Sequence, residues 1–139
     1  MIQQASINYL AVFAAAIASM VIGFLWYGPL FGKMWMSLMS FDNKKLKEAK
    51  KEGMGKIYTL AFLSSLIMSY ILAHFVFYTQ VKTITDGIIL AFWVWLGFFA
   101  TTQLGMVLWE GKPIKLYFLK TLHDLASLCV MASILTVWV

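Results

Sequence analysis

The stretch Ile57–Tyr78, IYTLAFLSSLIMSYILAHFVFY, runs for 22 residues without an aspartate, glutamate, lysine or arginine and is flanked on its N-terminal side by Lys56. Crossing the hydrocarbon core of a bilayer takes about 20 consecutive, mostly apolar residues in a helix. A core helix of a soluble domain would show polar positions at a 3.6-residue period, and this run shows none that are charged. It is read as a membrane span, and that reading extends outward in both directions. Residues 1–32 carry no charge, residues 87–109 carry none, and residues 121–139 carry only Asp124. Spans are therefore expected at 7–26, 57–78, 87–109 and 116–138. Each must be helical, because lipid offers no partner to open backbone groups and four segments are too few for a barrel.

The composition agrees. The 139 residues are 62% hydrophobic and 12% charged, against about 45–50% and 25% for a soluble domain. Disorder is excluded by the same figures, since it requires low hydrophobicity and high charge. The expected fold class is all-α, a single integral membrane bundle of four transmembrane helices over 1–139.

Lysine supplies all of the positive charge, 11 residues with no arginine. Arginine is the side chain suited to bidentate phosphate and base-edge contacts, so nucleic acid is not an expected partner. The lysines instead mark topology. Lys33, Lys44, Lys45, Lys47, Lys50, Lys51 and Lys56 fall in the first connection, and Lys112 and Lys115 in the third, with Lys120 just beyond. The second connection has only Lys82, offset by Asp86. The positive-inside rule then predicts cytosolic first and third connections, an N-out/C-out orientation, and a multi-pass protein of the cell inner (plasma) membrane. The N-terminus lacks a basic n-region, so the first span is expected to be retained. Anionic headgroups near the lysine-rich loops are expected partners alongside the bilayer itself.

The first connection has two characters. Pro29–Met39, PLFGKMWMSLM, is apolar, aromatic and methionine-rich, as suits an amphipathic segment at the interface, with Trp26, Tyr27, Pro29, Phe31, Gly32, Lys33 and Trp35 as its anchoring residues. Asp42–Glu52, DNKKLKEAKKE, reads as a short solvated helix with Gly53 as its C-terminal cap.

Helices in lipid associate through small residues that let backbones approach. Three spans carry one at every fourth position: Ala11, Ala15, Ser19 and Gly23; Ala61, Ser65, Ser69 and Ala73; Gly97, Thr101 and Gly105. These stripes serve packing within a chain or between copies, and a small homo-oligomer is expected. Leu25-Trp26-x-Gly28-Pro29 and Leu108-Trp109-x-Gly111-x-Pro113 also resemble each other at the ends of the first and third spans. Duplication and convergence on interface chemistry both account for that.

Ionisable groups inside spans are costly and mark candidate functional positions. Lys120, His123, Asp124 and Ser127 share one helical face about 100° wide. Lys120 and Asp124, spaced i,i+4, can pair, and His123 or Asp124 can hold or pass a proton. The competing structural reading places them in the first turn or two of the span, where Lys120 snorkels to the interface and Asp124 satisfies it. Gln103, beside Thr101 and Thr102, either lines a polar path or bonds between helices. His74 reads as an interfacial histidine and Cys129 as a small buried hydrophobe. Catalytic motifs, phosphate-cradling loops and metal-ligand spacings are absent, so neither an enzyme nor a cofactor nor a metal is expected.

Asn8-x-x-Ala11-Val12, followed by Trp26-Tyr27-x-Pro29-Leu30-Phe31-Gly32-Lys33-x-Trp35-Met36, resembles the small membrane proteins grouped as domain of unknown function 1761. Trp93-x-x-x-Gly97-Phe98 and Glu110-Gly111-Lys112-Pro113 are similar to the same family. The resemblance implies a four-span protein of about this size and supplies no substrate or cofactor. Two functions are expected to compete. One is an oligomeric transporter or channel-like protein for a small solute, ion or proton, its path lined by Lys120, His123, Asp124, Ser127 and Gln103. The other is a lipid- or apolar-ligand-binding or structural protein acting through partner or self-association.

Overall fold

A computed structural model describes residues 4–39 and 54–138. The reading of Asp42–Glu52 as a solvated helix capped by Gly53, and the lysines within it, lie outside the described residues. The described residues are helical and contain no strand. We number the helices α1 (Tyr9–Leu25), α2 (Gly32–Met39), α3 (Met54–Tyr78), α4 (opening as Ile84–Val94) and α5 (Ile114–Val137). Four segments are long and apolar enough to cross a membrane: Tyr9–Leu30, Gly55–Tyr78, Ile84–Leu108 and Ile114–Val137. They match the expected spans with ends displaced by a few residues.

Local chemistry sets those ends. Asn8 adopts an extended backbone and its side chain accepts from the Leu10 and Ala11 amides, so α1 starts at Tyr9. Thr83 caps α4 in the same way through the Asp86 amide. Extended Pro113 (φ −62°, ψ 142°) precedes α5, where its missing N–H costs nothing. At the end of α1, Pro29 cannot donate to the preceding turn, and the chain widens into a π-helical turn over Trp26–Leu30. That turn closes through the Phe31 amide on the Trp26 carbonyl at 2.9 Å. Gly32 then lets the chain fold back into α2, since a Cβ there would lie 2.8 Å from the Tyr27 carbonyl oxygen.

The bundle is built on α5. In its span 39% of an 18-residue window is buried, against 17–22% in the other three. α1 and α4 pack on either side of α5, and α3 packs mainly on α1. The core consists of small and branched residues where these helices cross: Ala11, Val12, Ala15, Leu72, Ala91, Leu128, Met131 and Ala132. Outward-facing positions remain apolar, among them Phe13, Ile17, Ile67, Ile89 and Phe98. In water such a surface would be a very large exposed apolar patch; in a bilayer it is the lipid-facing wall. This is an integral membrane bundle.

Two of the three small-residue stripes face other helices. Ala11 and Ala15 are buried, Ser19 bonds Ser127 at 3.1 Å, and Gly23 lies against His123. On α3, Ser69 is fully buried and donates to the Val12 carbonyl at 2.8 Å, with Ala73 buried one turn on and Ala61 and Ser65 half-buried. The third stripe differs. Gly97 and Thr101 are exposed, a Cβ on Gly97 would touch nothing within 4 Å, and Gly105 faces only Trp109 of its own span. Gly97 lies two residues past bundle-facing Trp95, and a second π-helical segment, Trp95–Ala100, shifts the phase of the third span beyond it. Bundle-facing positions run Gly87, Ala91 and Trp95 at steps of four, then jump five to Ala100. A uniform α-helical spacing does not anticipate that extra residue.

Candidate polar cleft within the bundle

The π segment decides which polar side chain of the third span meets α5. After Ala100, the chain continues through short helical turns at Thr101–Gln103 and Gly105–Leu108. In the shifted phase Gln103 points inward while Thr101 and Thr102 bond back to the Gly97 and Phe98 carbonyls. Two aromatic clamps hold the register: Trp95 Nε1 donates to the Thr121 carbonyl at 2.6 Å, and the Tyr117 hydroxyl to the Ala100 carbonyl at 2.6 Å. π-helical bulges recur at functional positions because they re-aim side chains in this way.

The Gln103 amide donates to Asp124 Oδ2 at 2.5 Å, and His123 Nδ1 lies 3.2 Å from Asp124 Oδ1. The His123 and Asp124 side chains are 16% and 22% exposed. This is the ion-pair geometry found among the described residues. The expected Lys120–Asp124 pair does not form. Each carboxylate oxygen faces one other partner, Gln103 or His123, and Lys120 lines the same cleft without closing on them. The His123 ring packs against Tyr27 (centroids 4.9 Å apart) and Trp26 (6.0 Å), and its Nε2 is buried against Gly23 without a hydrogen-bond partner. Trp26 is anchored in turn by donation from Nε1 to the Leu119 carbonyl at 3.0 Å.

A cleft of about 660 Å³ is lined by Tyr27 of the π turn after α1, by the end of the third span from Thr102 to Glu110, and by Lys120, His123 and Asp124 of α5 as its floor. It opens at the end of the bundle that carries the first and third connections. Beyond Asp124 it stops: Ser127 pairs with Ser19, and Leu128, Met131 and Ala15 are packed without space. Gln103 lies about five residues, or 8 Å, inside the end of its span at Leu108. Asp124 lies about ten residues, or 15 Å, from the start of α5. α5 starts at Ile114, ahead of the polar face, and packs in part against α2.

Of the residues expected on the polar face, Lys120, His123, Asp124 and Gln103 come together, and Ser127 is outside the lining, paired with Ser19. Tyr27, Met106, Trp109 and Glu110 also line the cleft and were not expected there. Tyr27 and Trp26, expected as interface residues, open the π turn and pack against His123. The expected interface segment has internal mates: Trp35 packs on Tyr27 (5.2 Å) and Phe31 on Trp26 (4.8 Å), while Leu30, Lys33 and Met34 face outward. The two Leu-Trp-x-Gly copies are not equivalent, since Trp26 is half-buried and Trp109 is 88% exposed. His74 meets Tyr70 edge to face and Tyr78 at a tilt, away from the cleft. No group of three metal-ligating side chains occurs among the described residues.

The model of the family described as protein of unknown function (DUF1761) matches residues 10–136. The chain belongs to this family. The match covers all four spans but for Tyr9 and Val137 at their outer ends, and it includes every cleft residue named above. No curated protein and no solved structure matches the chain.

Proposed function

We propose that this DUF1761 protein binds a small solute, ion or proton in the cleft at the lysine-rich end of the bundle and moves it across the membrane. The carrying observation is the environment of Asp124. Its carboxylate is largely buried within a spanning segment, held by an amide and an imidazole, and lacks a lysine partner. Ionisable side chains within spanning segments mark solute and ion pathways, and a carboxylate with spare acceptor capacity facing a cleft can receive a proton or a cation. The packed layer at Ser19–Ser127 means that transfer requires either a rearrangement of α1 against α5 or a path completed by a second copy. Association between copies has a suitable surface in the exposed Gly97–Thr101 face of the third span. The lysine-rich end is assigned to the cytosol of a plasma membrane, where Lys33, Lys112 and Lys115 would meet anionic headgroups.

The test is reconstitution of the purified protein into liposomes loaded with a pH-sensitive dye. Wild-type protein is expected to dissipate an imposed proton gradient faster than empty vesicles, with Asp124→Asn at the empty-vesicle rate and His123→Ala intermediate. Equal rates for wild type and Asp124→Asn refute the assignment.

A second reading draws on the opposite end of the molecule. A cleft of about 980 Å³ there is lined largely by apolar side chains, including Ile7, Val76, Phe77, Leu135 and Trp138, with Asn8 and Lys82 among its polar groups. That composition suits a lipid or apolar ligand. Lipid retained stoichiometrically through detergent exchange, detected by mass spectrometry, supports it; delipidated protein of unchanged stability argues against it.

A further inference from the structure

The lining of the lysine-end cleft specifies more than a polar solute. Two carboxylates line it, Asp124 on the floor and Glu110 in the wall, against one ammonium, Lys120. Neither oxygen of Asp124 is committed to a lysine, and each retains acceptor capacity beyond its single hydrogen bond. The two walls contribute aromatic side chains, Tyr27 from the end of α1 and Trp109 from the end of the third span, with Met106 between Gln103 and Trp109 along the chain. Aromatic faces attract cations through the ring quadrupole, and a polarizable thioether accommodates apolar bodies of varied shape. A volume near 660 Å³ lies within the range of small-molecule sites.

We propose that the cleft binds a monovalent organic cation, an amine or onium ion with an apolar body, its charge facing Asp124 and its body against Tyr27 and Trp109. This rests on the reading of the same cleft as the solute site and names the class of solute. An anion of equal shape is disfavoured by the excess carboxylate. A bare metal cation would leave the aromatic walls without a role. A neutral apolar molecule would leave the Asp124 charge uncompensated. Glu110, exposed at the end of the third span, draws the cation toward the opening, and Lys120 opposes it.

The test is equilibrium retention of radiolabelled tetraphenylphosphonium by the purified full-length protein in detergent, with tetraphenylborate as the probe of matching shape and opposite charge. The expected result is saturable phosphonium retention and no saturable borate retention. Asp124→Asn should weaken phosphonium binding roughly tenfold or more, as for loss of one partner of a buried charge pair. Trp109→Ala should weaken it by about threefold, and Trp109→Phe by less. Because Asp124→Asn also alters the Gln103 contact, Lys120→Met provides an independent arm: removing the opposing charge should tighten binding. Equal retention of borate and phosphonium overturns the proposal, and so does phosphonium binding weakened by Lys120→Met. Asp124-dependent proton flux with no phosphonium retention overturns the cation class and leaves the transport reading standing. Asp124-dependent phosphonium retention without flux supports the cation site and removes the transport reading.

Discussion

Replacing Gly87 by alanine tests the packing of α4 on α5 with a single methyl group. A Cβ at Gly87 would lie 2.8 Å from Thr136 Oγ1 and 3.4 Å from the Ala132 carbonyl oxygen. Thr136 is buried, and its hydroxyl is tied to that same carbonyl at 2.7 Å, so the oxygen cannot swing aside without breaking its bond. Relief takes one of two forms. Rotating Thr136 sacrifices a buried hydrogen bond, worth about 0.5–1.5 kcal/mol. Shifting α4 outward overpacks a close helix crossing at about 1–3 kcal/mol. Against either stands the gain of about 1 kcal/mol from replacing glycine by alanine in a helix. Gly97→Ala isolates that gain, because nothing lies within 4 Å of its Cβ. The two variants should differ in unfolding free energy by about 1–3 kcal/mol, with Gly87→Ala the less stable. The assay is unfolding in mixed micelles with increasing sodium dodecyl sulfate, followed by circular dichroism. Adding Thr136→Ala to Gly87→Ala should recover much of the loss, whereas Thr136→Val, which puts a methyl where the oxygen was, should not. Equal stability of Gly87→Ala and Gly97→Ala refutes the packing described for α4 and α5.

The turn between α1 and α2 gives a parallel expectation. Gly32→Ala brings a Cβ to 2.8 Å from a backbone oxygen of Tyr27, which has no rotamer to yield, and should lower the thermal midpoint while loosening the Tyr27 wall of the cleft. Quenching of tryptophan fluorescence by acrylamide should rise in step, and an unchanged midpoint would count against the turn geometry. Trp26→Phe keeps a ring against Phe31 and His123 but leaves the Leu119 carbonyl without its indole donor, at a cost of about 0.5–1.5 kcal/mol in the same detergent titration. Full stability in that variant would show the indole bond to be incidental.

The architecture was legible because it rests on long-wavelength features of the sequence. Uncharged runs such as Ile57–Tyr78 locate spans without reference to any partner, and the helical period places Lys120, His123 and Asp124 on one face of α5. Helix caps were less visible, because Asn8 and Thr83 set helix starts by side-chain geometry that hydropathy does not register. The π-helical turns were not visible at all. Pro29 is a cue for the first, since its missing donor forces some departure from α-helical bonding. The second, Trp95–Ala100, has no comparable marker in its sequence WLGFFA.

Those two turns account for most of the difference between the expected and observed cleft. At the first, Trp26 and Tyr27 pack onto His123; the second shifts the phase of the residues beyond it, turning Thr101 outward and carrying Gln103 onto Asp124. With both walls re-aimed, Asp124 has two donors that carry no fixed charge, and the i,i+4 lysine on its own helix is left over. A pairing rule drawn from one helix favoured Lys120 because it counts only neighbours along that helix. In a bundle a carboxylate also has neighbours on other helices, and Gln103 from the third span together with the adjacent His123 competes with a long, entropically costly lysine chain. Periodicity groups Lys120, His123 and Asp124 on one face of α5, while the partner of Asp124 on another helix, Gln103, comes only from the crossing of the third span with α5.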